Sequence, residues 1–172
     1  VDEPRDTQRS RLYKAETALI NIAKPLYEVR DVEKYVKRVL ARQSILRRYP
    51  RTNPNVRVKD GRGTRRALAY GSHTISLPLW ARNEAVVLHE LAHTIAVRHY
   101  YREKIAGHGW QFAAILLDLV RAMMGKEAHD LLRASFKEHK VRYVAPRQKR
   151  ELTPEQREEL RARLAAIRAE KK

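Results

Sequence analysis

His89, Glu90 and His93 fall inside a mostly apolar stretch, VVLHELAHTIAV, and this pattern limits the fold more than any other feature of the 172 residues. Positions four apart on a helix share a face, one turn above the other, so the two imidazoles converge on one point. A metal ion held there needs a further ligand from elsewhere, and the fold has to bring that ligand back to the helix. Asn83 is suited to cap such a helix, and Val86, Val87, Leu91 and Ile95 give it an inner face. Glu90 follows the first histidine directly. In zinc peptidases the Glu of H-E-x-x-H takes a proton from the water that the metal activates. A chance match to so short a pattern leaves two ordinary helix histidines. The long apolar setting argues against chance.

Two histidines compete for the third ligand position. His99 lies six residues past His93, the spacing of H-E-x-x-H-x-x-G-x-x-H, but that pattern needs glycine where Ala96 stands. Alanine resists the left-handed conformation such a turn favours. Without the turn the helix continues and carries His99 away. His108 lies fifteen residues past His93, inside GHGWQF.

The combination H-E-x-x-H, a charged loop and G-H-G-x-x-F resembles the SprT-like metallopeptidases, which include the Spartan group of DNA–protein crosslink proteases. The likeness covers about residues 55 to 125, with HTISLPLWARNEAVVLHE resembling the family's strand and its connection into the active-site helix. It implies His89, His93 and His108 as zinc ligands, Glu90 as general base, and Zn2+ as cofactor. It also implies an α+β fold: a zincin-like minimal metalloprotease core, with a small antiparallel or mixed sheet of about three strands packed on helices, and extra N- and C-terminal helices. Glycines 107 and 109 are expected to let the backbone bend around His108, with Trp110 and Phe112 anchoring the next helix. Tyr100, Tyr101, Arg102 and Lys104 would form an exposed rim. Many members of that family carry a cysteine-rich zinc ribbon after the core; with no cysteine in these 172 residues, no such module is expected within them.

Outside this segment the pattern predicts helices over residues 8–24 and 31–48, then strands near 56–59, 66–70 and 73–77. Asp60-Gly61 reads as a hairpin turn, and Pro78 ends the last strand. A helix from about Gly109 to Gly125 and another over 126–139 follow. VRYVAPRQKR is a basic linker, and Thr153-Pro154-Glu155-Gln156 opens a final helix with a capping box. The organisation expected is one domain over 1–145, with N-terminal helices at 8–48 and a core at about 55–125, then a linker and terminal helix over 146–172. The polar start is unlike a secretory signal, and no apolar run is long enough to cross a bilayer. A cytoplasmic setting without membrane association is the expectation.

The 37 lysines and arginines outnumber the 20 acidic residues, giving a formal charge of +17. Such an excess attracts polyanions, nucleic acid above all. Two clusters are candidates for that contact. The first is Arg47, Arg48, Arg51, Arg57, Arg62, Arg65 and Arg66. The second is Lys137, Lys140, Arg142, Arg147, Lys149 and Arg150. Tyr49, Tyr70 and Tyr143 lie near them and either stack on bases or fill the core.

The expected activity is zinc-dependent hydrolysis of a protein or peptide, nucleic-acid-bound proteins among the substrates. The edge of the 73–77 strand would receive an extended substrate. Arg98, His99, Tyr100 and Tyr101 are within reach to steady the oxyanion, with no choice among them. Two other readings stay open: a basic nucleic-acid-binding or assembly protein with structural zinc, and a metallohydrolase of a non-peptide substrate.

Overall fold

The computed structural model describes residues 4–146 and 153–169. Apolar residues recurring every three to four positions form α1 (Arg9–Ile20), α2 (Val29–Leu40) and α3 (Gln43–Arg48). The short strands β1 (Arg57–Asp60), β2 (Leu68–Tyr70) and β3 (Thr74–Leu77) come next. Then follow α4 (Glu84–His99), α5 (Trp110–Met123), α6 (Gly125–Glu138) and α7 (Pro154–Ala169). The class is α+β, with seven α-helices and one three-stranded mixed sheet among the described residues. None of the helices described is long and apolar enough to cross a membrane.

The sheet order is β1-β3-β2, with β1 parallel and β2 antiparallel to β3. The Asp60-Gly61 hairpin expected from the sequence does not form, because β1 pairs with β3 and not with β2. Gly61 answers a different demand. Its N–H donates to the Leu77 carbonyl at 3.0 Å, and a Cβ there would stand 2.7 Å from the backbone of Leu77 and Pro78. The hairpin lies one connection later, across Gly71, between β2 and β3. Strand β3 is therefore central, and Ile75 and Leu77 are buried. The substrate edge expected at residues 73–77 is not available, since both sides of β3 are paired; the free edges belong to β1 and β2.

The helix expected over 31–48 is two helices. Arg42 is extended (ψ 119°) and starts α3, with no glycine or proline to mark the break. The redirection buries Ile45 and Tyr49, and Tyr49 donates its hydroxyl to Asp118 on α5. Helix α1 stops at Ile20, short of the expected residue 24, and Pro25 joins an isolated bridge to Asn83. The cap at Asn83 forms, its side chain accepting from the Val86 N–H at 3.0 Å. The capping box of α7 also forms: Thr153 N–H donates to Gln156, and Gln156 N–H to Thr153 Oγ1.

Helix α4 is the centre of the layout. It packs against α5, α1 and both β2 and β3, while α6 closes over α1 and α5. Val87, Leu88, Leu91, Ala92 and Ile95 are buried along it. Val86, expected on that inner face, is half-buried and lines a cleft. Burying a side chain such as Leu91 or Ile95 contributes about 1.5–3 kcal/mol, so α4 is held on several sides before any ligand binds.

Candidate metal centre

His89 and His93 project from the same face of α4, and His108 reaches them from the turn before α5. One nitrogen from each lies within 4.8 Å of the others. His89 Nε2 and His93 Nε2 are 3.2 Å apart. Two nitrogens on a tetrahedral centre with bonds of about 2.0–2.1 Å are roughly 3.3 Å apart, so the pair has ligand spacing. His108 Nε2 is buried and has no hydrogen-bond partner. An orphaned buried nitrogen is costly, and this one is placed to ligate a cation together with the other two rings.

The other side of two rings is tied down. His89 Nδ1 lies 2.8 Å from Glu16 Oε1, and His108 Nδ1 lies 2.6 Å from Asp6 Oδ2. An ionised carboxylate only accepts, so in both rings Nδ1 carries the hydrogen, and the neutral imidazole then offers Nε2 as the ligand. Carboxylates behind ligating histidines fix tautomer and orientation in this way at metal sites. Gln8 adds a clamp: its Nε2 donates to the carbonyl of His108 at 2.8 Å and to that of Arg142 at 3.0 Å. Phe112 is fully buried under the cluster, its ring centroid 4.9, 4.3 and 5.1 Å from those of His89, His93 and His108. Donor set, tautomers and orphaned nitrogen all fit a divalent metal.

Gly107 and Gly109, expected to let the backbone bend around His108, do so without a left-handed backbone. A Cβ on Gly109 would come within 3.2 Å of the Ala106 carbonyl and 3.0 Å of the Gln111 side chain, so the need is for space. At Gly107 the nearest such neighbour is the Asp6 carboxylate, at 3.6 Å.

Electrostatics separate the three imidazoles. Burial lowers the His93 pKa far below its ordinary value, helped by the neighbouring His89 and His108. Burial also lowers that of His108, against the opposing pull of Asp6. Burial acts on His89 the same way, but the charge and hydrogen bond of Glu16 outweigh it and the net direction is up. Glu90 is buried, and burial raises its pKa against the lowering effects of His89 and a backbone hydrogen bond from Ala69.

A cleft of about 660 Å³ opens onto the site, lined by His89, Glu90, His93 and His108 together with residues of α1 and of the 65–71 segment that contains β2. Glu90 and the three histidines are thus brought together. His99 is not. Helix α4 runs straight through Ala96 to His99, whose ring packs edge-on to Tyr49 and Tyr100. Arg98, Tyr100 and Tyr101, proposed from sequence as oxyanion partners, do not line the cleft either. Sequence reasoning missed Glu16 and Asp6. The one signal for Glu16 is its place in the stripe of Leu12, Ala15 and Leu19, where a carboxylate is buried with them.

The basic candidates scatter. Arg65 and Arg66 line the cleft. Arg48 pairs with Asp118 at 2.7 Å and Arg62 with Asp60 at 3.8 Å. Arg51 lies over the Tyr101 ring. Arg47, Arg57, Lys137, Lys140 and Arg142 are exposed, whereas Arg147, Lys149 and Arg150 lie outside the described residues. Tyr49 is buried, so it cannot stack on a base, and Tyr143 packs on Phe136; Tyr70 is half-exposed on β2. No protein-family model, curated protein or solved structure matches this chain.

Proposed function

We propose that the chain is a zinc-dependent hydrolase with a zincin-like core, and that its substrate is a polypeptide. The observation that carries this reading is the meeting of His89, His93 and His108 in one cleft with the buried carboxylate of Glu90. The three Nε2 atoms are the ligands, and the resemblance to SprT-like metallopeptidases supports zinc as the ion. When bound, zinc supplies Lewis acidity and makes water a nucleophile near neutral pH.

The chain's own groups do the rest. Glu16 and Asp6 hold the imidazoles in the ligating tautomer. Glu90, raised by burial, is suited to accept a proton from the attacking water and release it to the leaving nitrogen. The unpaired edge of β2 borders the cleft. An extended peptide adds to such an edge through its backbone, with register set by alternate side chains. A purely structural zinc leaves no task for a buried carboxylate one residue past a ligand, which favours hydrolysis over that alternative.

The charge of +17 favours a second, compatible role, in which nucleic acid gathers the enzyme and its substrate. The test is metal analysis of the purified chain, then cleavage of casein and of histone with and without single-stranded DNA. Glu90→Gln is expected to bind zinc as the parent does and to lose hydrolysis. Cleavage that needs DNA supports the Spartan-like version. Cleavage indifferent to DNA leaves a general peptidase. Full activity in Glu90→Gln removes Glu90 from the chemistry.

A further inference from the structure

Hydrolysis at such a centre develops negative charge on the substrate's carbonyl oxygen, and a preorganised donor aimed at it is commonly the largest single contribution to rate. The donor has to sit in the cleft, beside the ligands and free of a competing partner. Helix α1 presents such a group. Arg9, Tyr13, Glu16 and Ile20 are spaced four, three and four apart, which puts them on one helical face, and all four line the cleft. Glu16 is committed to His89. Tyr13 stands one turn away, with its ring centroid 5.5 Å from that of His89 and 5.2 Å from that of His108. It therefore touches two of the three ligand rings while 42% of it remains exposed to the cleft and solvent.

Arg9 completes the arrangement. Its Cζ lies 5.5 Å from the centroid of the Tyr13 ring, and interaction with the Tyr13 side chain raises the guanidinium's pKa. Arg65 and Arg66 also line the cleft, from the segment before β2.

We propose that Tyr13, with Arg9 beside it, is the oxyanion-stabilising side of the catalytic site. This rests on the peptidase reading above. As the water oxygen bonds to the carbonyl carbon, the π pair of the carbonyl moves onto its oxygen, and Glu90 takes the water proton. The Tyr13 hydroxyl donates a hydrogen bond to that oxygen and keeps its own proton. The pair then returns to re-form the carbonyl, the carbon–nitrogen bond breaks, and the proton on Glu90 goes to the leaving nitrogen. The guanidinium of Arg9, beside the ring, offsets the developing charge.

The test compares wild type, Tyr13→Phe and Glu90→Gln as zinc-loaded full chains, with zinc affinity, kcat, KM and binding of a phosphinic peptide as readouts. A phosphinic peptide mimics the tetrahedral, anionic state, so its affinity reports the donor without turnover. Tyr13→Phe keeps the ring contacts. It is expected to bind zinc within about twofold of wild type, to keep KM, and to lose about 10²–10³ in kcat, with a parallel loss in phosphinate affinity. Wild-type kcat and phosphinate affinity in Tyr13→Phe, with Glu90→Gln inactive, overturn the role of Tyr13 and leave the peptidase reading standing. A wild-type chain that binds zinc but hydrolyses nothing overturns both.

Discussion

Glu16 Oε1 sits 2.8 Å from His89 Nδ1, and the two residues are 73 positions apart in the chain. The carboxylate and the imidazole are both buried, so the hydrogen bond fixes the ring without competition from water. It also keeps Nε2 free to bind a cation. Removing the charge while preserving the shape isolates this effect. Glu16→Gln is expected to lower zinc affinity by about 10–100-fold, the usual cost of losing such an outer partner, with little change in the fold. Competition against a chromogenic chelator measures it. Asp6→Asn acts through His108 in the same way, by a smaller factor because Asp6 is more exposed. Unchanged affinity in both variants would show that the carboxylates serve folding alone.

His108 and His99 make opposite predictions. His108 Nε2 is buried, unpartnered and part of the cluster. His99 ends α4 with its ring packed edge-on to Tyr49 and Tyr100. His108→Ala is expected to lower zinc affinity by several orders of magnitude, while His99→Ala leaves it within about threefold, since only one of them is a ligand. Parallel zinc titrations decide between them. The reverse ranking would return the site to the spacing that Ala96 argues against.

The clusters that depend on local spacing were legible in the sequence, and those that depend on distant chain were not. Four-residue spacing on one helix fixes where His89 and His93 point, and Asn83 announces where α4 begins. No local pattern says that Asp6 and Gln8 return to His108 across about a hundred residues. Asp60-Gly61 carries a hairpin composition, but backbone crowding against Leu77 and Pro78 requires the same glycine. Local chemistry therefore could not distinguish parallel β1–β3 pairing from a hairpin. The break between α2 and α3 has no glycine or proline and follows from the burial of Ile45 and Tyr49. In each case a tertiary contact overrode a local preference.

The metal-free protein is expected to lose stability on acidification. The pKa values of His93 and His108 are depressed in the fold, chiefly by burial. Below the unfolded value of about 6.5 the unfolded chain takes up protons that these two rings refuse, so stability falls as pH falls. His89 has the opposite sign: Glu16 raises it above its ordinary value despite burial, so its contribution is present below about 6.5 and is lost as pH rises. Below about pH 6.5 His89 is protonated in both states and adds no slope, so the two depressed rings set the trend, with a limit of about 2.7 kcal/mol per pH unit for two protons. Thermal melts in chelator at pH 7.5, 6.5 and 5.5 measure it, and His93→Gln should flatten the trend. A melting temperature that climbs steadily as pH drops would contradict this assignment.

Phe112 links the fold to the site most directly. Its ring is fully buried and lies within 5.1 Å, centroid to centroid, of all three histidines. Truncating such a ring removes packing and leaves a cavity, typically at a cost of 3–5 kcal/mol. Phe112→Ala is expected to lower the unfolding free energy by that amount in chelator, read from the urea midpoint, and to weaken zinc binding, because the imidazoles lose their floor. Excess zinc then recovers part of the loss, since an ion that binds only the folded chain stabilises it in proportion to the logarithm of its concentration over Kd. Phe112→Leu keeps most of the volume and should fall between the two. Urea unfolding of the three proteins, each with chelator and with zinc, separates packing from ligation. If zinc gives all three the same increment, Phe112 supports the core without shaping the cluster.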